Sequence, residues 1–242
     1  MVFLGASSFL FQSVWWLWKH RNKVVFENCL ANPKLYLSCI QAVREYFYCV
    51  SKTQKTKHNI AVHVRWFRPP VDWFKLNSDG VVLGNLGKVG GGGLIRDHQG
   101  KWVKGYMRHI GFASSIIAEF WALTDGLLLA SKLSISQLLV ELDAQTVVNL
   151  LHSSRPYNNS FSSLLNDCKF LFRQFQQVRI SHVFREANRC VDYLAKGGCT
   201  LDWDFFVLDT PVSEELCIIL DSDASGLYSL RILANTSPFM AS

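Results

Sequence analysis

The sequence predicts an α/β fold built on a mixed five-stranded sheet, its first three strands antiparallel, flanked by helices and preceded by a helical extension. Residues 73–109 alternate as three strands, with a turn-forming Asp97-His-Gln-Gly100 between two of them. Residues 114–196 then alternate helical periodicity with two short apolar strands, the pattern by which helical crossovers add strands to a sheet. At 49% hydrophobic and 18% charged, the composition is that of a chain with a packed core.

The elements follow in order. Residues 1–50 read as a helical extension, in which Leu35, Cys39, Ala42, Val43 and Tyr46 recur at helical spacing after Pro33. Residues 51–70 read as a basic linker carrying Lys52, Lys55, Lys57, Arg65 and Arg68 and ending at Pro69-Pro70. Residues 71–200 form the expected globular domain, and 201–242 an acidic tail. In the domain, Phe74 to Asp79 is the first strand, with Lys75, Asn77 and Asp79 on one face. Gly90–Asp97 and Lys101–His109 form a hairpin, with Asp97, Gln99 and Gly100 supplying the turn. Ser114 or Ser115 caps a helix running to about Leu133, whose buried stripe is Ile116, Phe120, Leu123, Leu127 and Ala130. Leu138–Leu142 is a short apolar strand, followed by helices over 144–152 and 161–172. Val178–Val183 is the fifth strand, and Ala187–Lys196 a helix closed by Gly197-Gly198.

Charge is unevenly spread over the net +6. Residues 1–70 hold ten Lys/Arg against two Asp/Glu, whereas 201–242 hold one against seven. A basic front suits a polyanionic partner such as nucleic acid, and a solvated linker accounts for it equally well. The seven cysteines form no Cys-x-x-Cys pair, so neither zinc nor a disulfide framework is indicated, and a reducing, intracellular compartment is expected. The uncharged run Met1–Trp18 is marginal in length for a membrane span and lacks a basic start, so a buried helix is expected instead. Gly84 to Gly93 lacks the Gly-Lys-Ser/Thr of a phosphate loop and leads into a strand, so it reads as a strand connection.

Four carboxylates carry the chemical signal: Asp79 in Lys75-Leu-Asn-Ser-Asp-Gly80, Glu119 in Ala118-Glu-Phe-Trp-Ala-Leu123, Asp143 in Val140-Glu-Leu-Asp143, and Asp192 downstream of Arg185-Glu-Ala-Asn188. Each alone could be a surface acid or a helix cap. Glu119 is the hardest to dismiss, because it sits in an apolar stretch and an unpaired buried carboxylate is costly.

Those strings, with Gly93-Leu-Ile-Arg-Asp97 and His182-Val-Phe-Arg-Glu-Ala-Asn188 followed by Leu194 and Ala195, resemble the type 1 ribonuclease H fold over residues 73–197. More narrowly, they are similar to the ribonuclease-H-like domain of plant non-LTR retrotransposons and their genomic derivatives. The resemblance implies that Asp79, Glu119, Asp143 and Asp192 are catalytic acids holding two Mg²⁺ ions, with Mn²⁺ as a substitute. Four converging acids repel one another, and bound cations relieve that repulsion. It implies that Asp79 bridges the ions, that Glu119 and Asp143 hold the one activating water, and that Asp192 holds the other. It also implies a monomeric endonuclease, not membrane-bound, that cuts the RNA strand of RNA–DNA hybrids. Substrate-binding roles fall to Gly80, Arg185 and Asn188, with a helix cap as the alternative for Asn188. His182, ten residues before Asp192, lies inside the fifth strand and is expected to be structural. The stretch Ser153–Ser160 is too short for the basic protrusion some members carry. A domain that binds nucleic acid without cutting it is the alternative expectation.

Overall fold

The computed structural model describes residues 18–19, 21–22, 24–27, 58–83, 88–155 and 157–235. The chain divides into two compact units, 1–60 with 233–242, and 61–232. In the first unit residues 18–19, 21–22 and 24–26 are helical; the rest of the expected helical extension, and the linker to residue 57, lie outside the described residues. No helix among the described residues is long and apolar enough to cross a membrane, and the apolar run up to Leu17 lies outside them.

The strands are β1 (His58–Val64), β2 (Phe74–Val82), β3 (Val89–Arg96), β4 (Trp102–Gly111), β5 (Gln137–Leu142), β6 (Gln177–His182), β7 (Phe205–Leu208) and β8 (Ser229–Asn235). Among the described residues from 58 onward the helices are α1 (Ser115–Lys132), α2 (Gln145–His152), α3 (Ser162–Phe172), α4 (Arg189–Gly198) and α5 (Glu214–Ala224), with a 3₁₀ turn at Arg185–Ala187. The main sheet runs β6-β5-β2-β3-β4-β7, and β1 pairs with β8 in a separate two-stranded sheet. As expected, β2, β3 and β4 are antiparallel, and β5 and β6 join in parallel.

Local sequence accounts for the junctions. The Asp97 carboxylate accepts from the backbone N–H of Gln99 (2.8 Å) and Lys101 (2.9 Å), and Gly100 takes φ +83°, which closes the β3–β4 hairpin. The Ser114 side chain caps α1 by accepting from Ile117 N. Alternation then splits the core between the two sheet faces. Leu76, Ile95 and Tyr106 pack with Phe120, Leu123 and Leu127 of α1 and with α2 and α3. Leu94, next to Ile95, packs on the other face with Cys190, Val191 and Leu194 of α4 and with Leu208 and Leu216. The glycine tract belongs to this packing. A Cβ at Gly90 or Gly92 would lie about 2.5 Å or less from the backbone of α4, so their lack of a side chain lets that helix lie against β3.

Three features differ from expectation. The sheet has six strands, because Phe205–Leu208 pairs antiparallel with β4. The segment expected as an acidic tail contributes this strand and α5, and its Asp223 is buried against Arg96 rather than solvated. The segment expected as a linker contains the buried Val64 and Trp66. Net charge obscured these pieces, since Leu208, Leu216 and the Asp223–Arg96 pair bury the one and Val64 and Trp66 the other.

Candidate metal-dependent active site

Strand register decides the site. Ser78 of β2 stands opposite Leu142 of the parallel β5, so the next residues, Asp79 and Asp143, emerge side by side. Glu119 joins them from α1. Gly80 makes that approach possible: a Cβ there would lie 2.3 Å from the backbone of Ala118 and Glu119, and its N–H donates to Glu119 Oε2 at 3.2 Å. Gly80 thus has a packing role that seats Glu119.

Asp79, Glu119 and Asp143 each offer a carboxylate oxygen, all within 4.8 Å of one another. Burial, then the charges of Asp143 and Asp192, push Asp79 up to about 7. Burial, then Asp79 and Asp143, push Glu119 well above the usual carboxylate range. Asp143 is also raised, by burial first. Its Oδ1 is buried with no hydrogen-bond partner. A buried carboxylate oxygen without a donor, beside two raised carboxyls, fits a hard divalent cation such as Mg²⁺ or Mn²⁺.

Asp192 stands beside this triad but is held differently. Arg185 and Lys196 both hydrogen-bond its carboxylate, Lys196 at 2.5 Å. Burial pushes Asp192 up, but these two bonds outweigh it and leave the carboxyl below its ordinary range. Arg185, exposed like Lys196, also lowers Asp79, Glu119 and Asp143 by its charge. A groove of about 700 Å³ passes Asp192 and Lys196, lined further by Met107, Tyr193 and Ile219.

Asn188, expected at the site, and His182, expected to be structural, both lie next to the acids. Asn188 is buried, with Nδ2 donating to Ser78 O (3.3 Å) and Oδ1 accepting from Asn77 Nδ2 (3.2 Å). It makes no capping bond to α4. It is thus a strut beneath Asp79, not a surface contact. His182 Nε2 lies 3.2 Å from Asp143 O, and its ring meets Phe184 edge-on.

Sequence reading missed the layer below the acids. Lys75 Nζ donates to Glu141 Oε1 (2.5 Å) and Phe67 O (2.7 Å). Asn77 donates to Glu141 Oε2, and its oxygen accepts from Trp66 Nε1 (3.1 Å) and Arg96 (3.2 Å). Arg96 stacks on Trp66, 3.6 Å from the ring centroid, and pairs with Asp223 at 2.9 Å. The available signal was Lys75, Asn77 and Asp79 on one face of a central strand, where polar residues need partners.

Residues 77–198 match a family described as reverse transcriptase-like. A provisionally named ribonuclease H protein of Arabidopsis thaliana is 30% identical over 221 residues, which is 88% of this chain. The chain spans about a third of that relative's length (35%). Among solved structures, the N-terminal ribonuclease H domain of a Mycobacterium tuberculosis protein superposes with a TM-score of 0.50 at 25% identity, covering 52% of this chain and 93% of that one. Ribonuclease H1 of Halobacterium salinarum gives 0.49 at 25% identity, covering 52% and 96%.

Proposed function

The chain belongs to the reverse transcriptase-like family, and from that premise we propose that it is a ribonuclease H-type nuclease, retrotransposon-derived, that cuts the RNA strand of RNA–DNA hybrids. The observation that carries the reading is the convergence of Asp79, Glu119 and Asp143 within 4.8 Å, with Asp192 alongside. The ribonuclease H name of its Arabidopsis relative supports the substrate class.

On this reading Asp79, Glu119, Asp143 and Asp192 hold two Mg²⁺ or Mn²⁺ ions. When bound, such ions make water a stronger nucleophile at neutral pH and stabilise the leaving 3′-oxygen. The chain's own residues prepare the ground. Gly80 N–H fixes the rotamer of Glu119, and Asn188 ties the start of α4 to the strand carrying Asp79. Burial and mutual repulsion favour protons on Asp79 and Glu119, so binding of a divalent cation there would release protons. Arg185 presents a guanidinium beside the acids, where a backbone phosphate of the hybrid would pass. Water adds to phosphorus and the bond to the 3′-oxygen breaks, leaving a 5′-phosphate and a 3′-hydroxyl. Preference for RNA would rest on its 2′-hydroxyl, read across a shallow minor groove.

A second reading, a domain that binds hybrids without cutting them, is favoured by one observation: Arg185 and Lys196 already occupy both oxygens of Asp192. The deciding experiment incubates the full chain and its Asp79→Asn variant with labelled hybrid, RNA duplex and DNA duplex in Mg²⁺ and Mn²⁺. Hybrid-only cleavage that drops by roughly 10³-fold or more in the variant is expected. Hybrid binding with no cleavage by folded wild-type protein would establish the second reading instead.

A further inference from the structure

We propose that Arg231 is a positioning residue for the loop between His182 and α4, reaching the site from a strand outside the 77–198 region that defines the family. Its Nη1 donates to both oxygens of Glu186, at 3.0 and 2.8 Å. Its guanidinium also lies 4.6 Å from the centroid of the Phe184 ring. Arg231 thus grips the residues on either side of Arg185, whose own guanidinium bonds Asp192.

The grip continues to the acids on both sides. Phe184 meets the His182 ring edge-on at 5.5 Å, and His182 Nε2 lies 3.2 Å from the carbonyl of Asp143. On the far side, Ala187 N and Asn188 N bond the carbonyls of Phe184 and Arg185, at 2.8 and 2.9 Å, which sets the start of the helix carrying Asp192. Arg185, Glu186, Arg189, Asp192 and Arg231 line one open cavity of about 310 Å³, so the clamp and a site acid share a surface.

Energetics argue for placement over stability. The side chains of Arg231 and Glu186 are 36% and 29% exposed, and a half-exposed ion pair stabilises a fold little. A short loop carrying a charged group into a site is sensitive to displacements on the scale of 1 Å, however, which cost up to about 10²-fold in rate.

This inference rests on the nuclease reading, and its test separates the two. Full-chain wild type, Arg231→Ala and Arg231→Lys are compared by steady-state hybrid cleavage, melting temperature and amide hydrogen exchange. In Arg231→Ala, kcat is expected to fall roughly 10- to 100-fold. KM should stay within about threefold, as for a group that does not touch substrate. Melting should shift by only ~2 °C or less, and exchange at Ala187 and Asn188 should accelerate. Arg231→Lys, which keeps the charge over Phe184, should recover most of the rate. An Arg231→Ala variant with wild-type kcat would overturn the proposal, as would a loss shared equally by the Lys variant. If wild-type protein cuts nothing, the nuclease reading falls, and the clamp is judged by exchange alone: faster exchange at Ala187 and Asn188 supports it, and unchanged protection overturns it.

Discussion

Glu141 and Asp143 lie two residues apart at the end of one strand and meet opposite fates. Glu141 is buried with both oxygens occupied, by Lys75 and Asn77. Asp143 is raised by burial, and one of its oxygens is buried without a partner. The same contrast separates Lys75 and Asn77 from Asp79 on β2. The lower layer resolves buried charge internally, with ion pairs and a saturated amide. The upper layer leaves buried charge unresolved, which is the condition under which an external cation binds. The triad Asp79, Glu119 and Asp143 is thus marked by the lack, among the described residues, of a cationic side chain bonded to it, whereas Asp192 beside it is paired with Arg185 and Lys196.

The largest test of this contrast breaks the lower layer. Lys75→Met leaves Glu141 buried without its cation and should cost about 3–5 kcal/mol in urea unfolding. Adding Glu141→Leu should return much of it, because a removed pair leaves no orphan charge. A single variant as stable as wild type would show that the pair is not structural.

The upper layer should show the reverse behaviour. Asp79 binds its proton more tightly folded than unfolded, its value moving from 3.8 to about 7. Without divalent metal, the stability from that proton is full below the unfolded value and is lost as pH rises through about 7. Thermal melts from pH 5 to 8 in chelator should therefore show wild type weakening, by an amount on the order of a few kcal/mol. Asp79→Asn should flatten that slope and melt higher at pH 8. Mg²⁺ should restore wild type, by about 2.7 kcal/mol at a hundredfold excess over its dissociation constant, and leave the variant unchanged. A wild-type profile that is flat in chelator would remove the argument that these acids are unpaired.

The smallest effect concerns the helix that delivers Glu119. Ser114→Ala removes a cap whose bond to Ile117 N is long, at 3.5 Å, so about 0.5–1 kcal/mol is expected by denaturant unfolding. Cleavage should persist, because Gly80 N–H still fixes Glu119. Loss of activity without loss of stability would show that the cap, not Gly80, sets that side chain.

The amino-acid sequence by itself determined five strands of the sheet and the helices between residues 114 and 198, but not the strand and helix contributed by 205–224. Alternation over 74–79, the Asp97 turn and the apolar stripe of α1 are local signals, and each formed where the pattern places it. It also marked four acids, through residue strings that resemble those of the ribonuclease H fold. Only the tertiary structure decided which acids share a space. That depends on the β2–β5 register and on the contact at Gly80, both set by packing between distant segments. It also decided that Asn188 is a strut, that Trp66 and Asp223 complete a buried network, and that Arg231 reaches Glu186 across 45 residues. A charged residue in a polar stretch reads as solvated, since the partner that buries it lies far away along the chain, and pairing is decided by proximity in space.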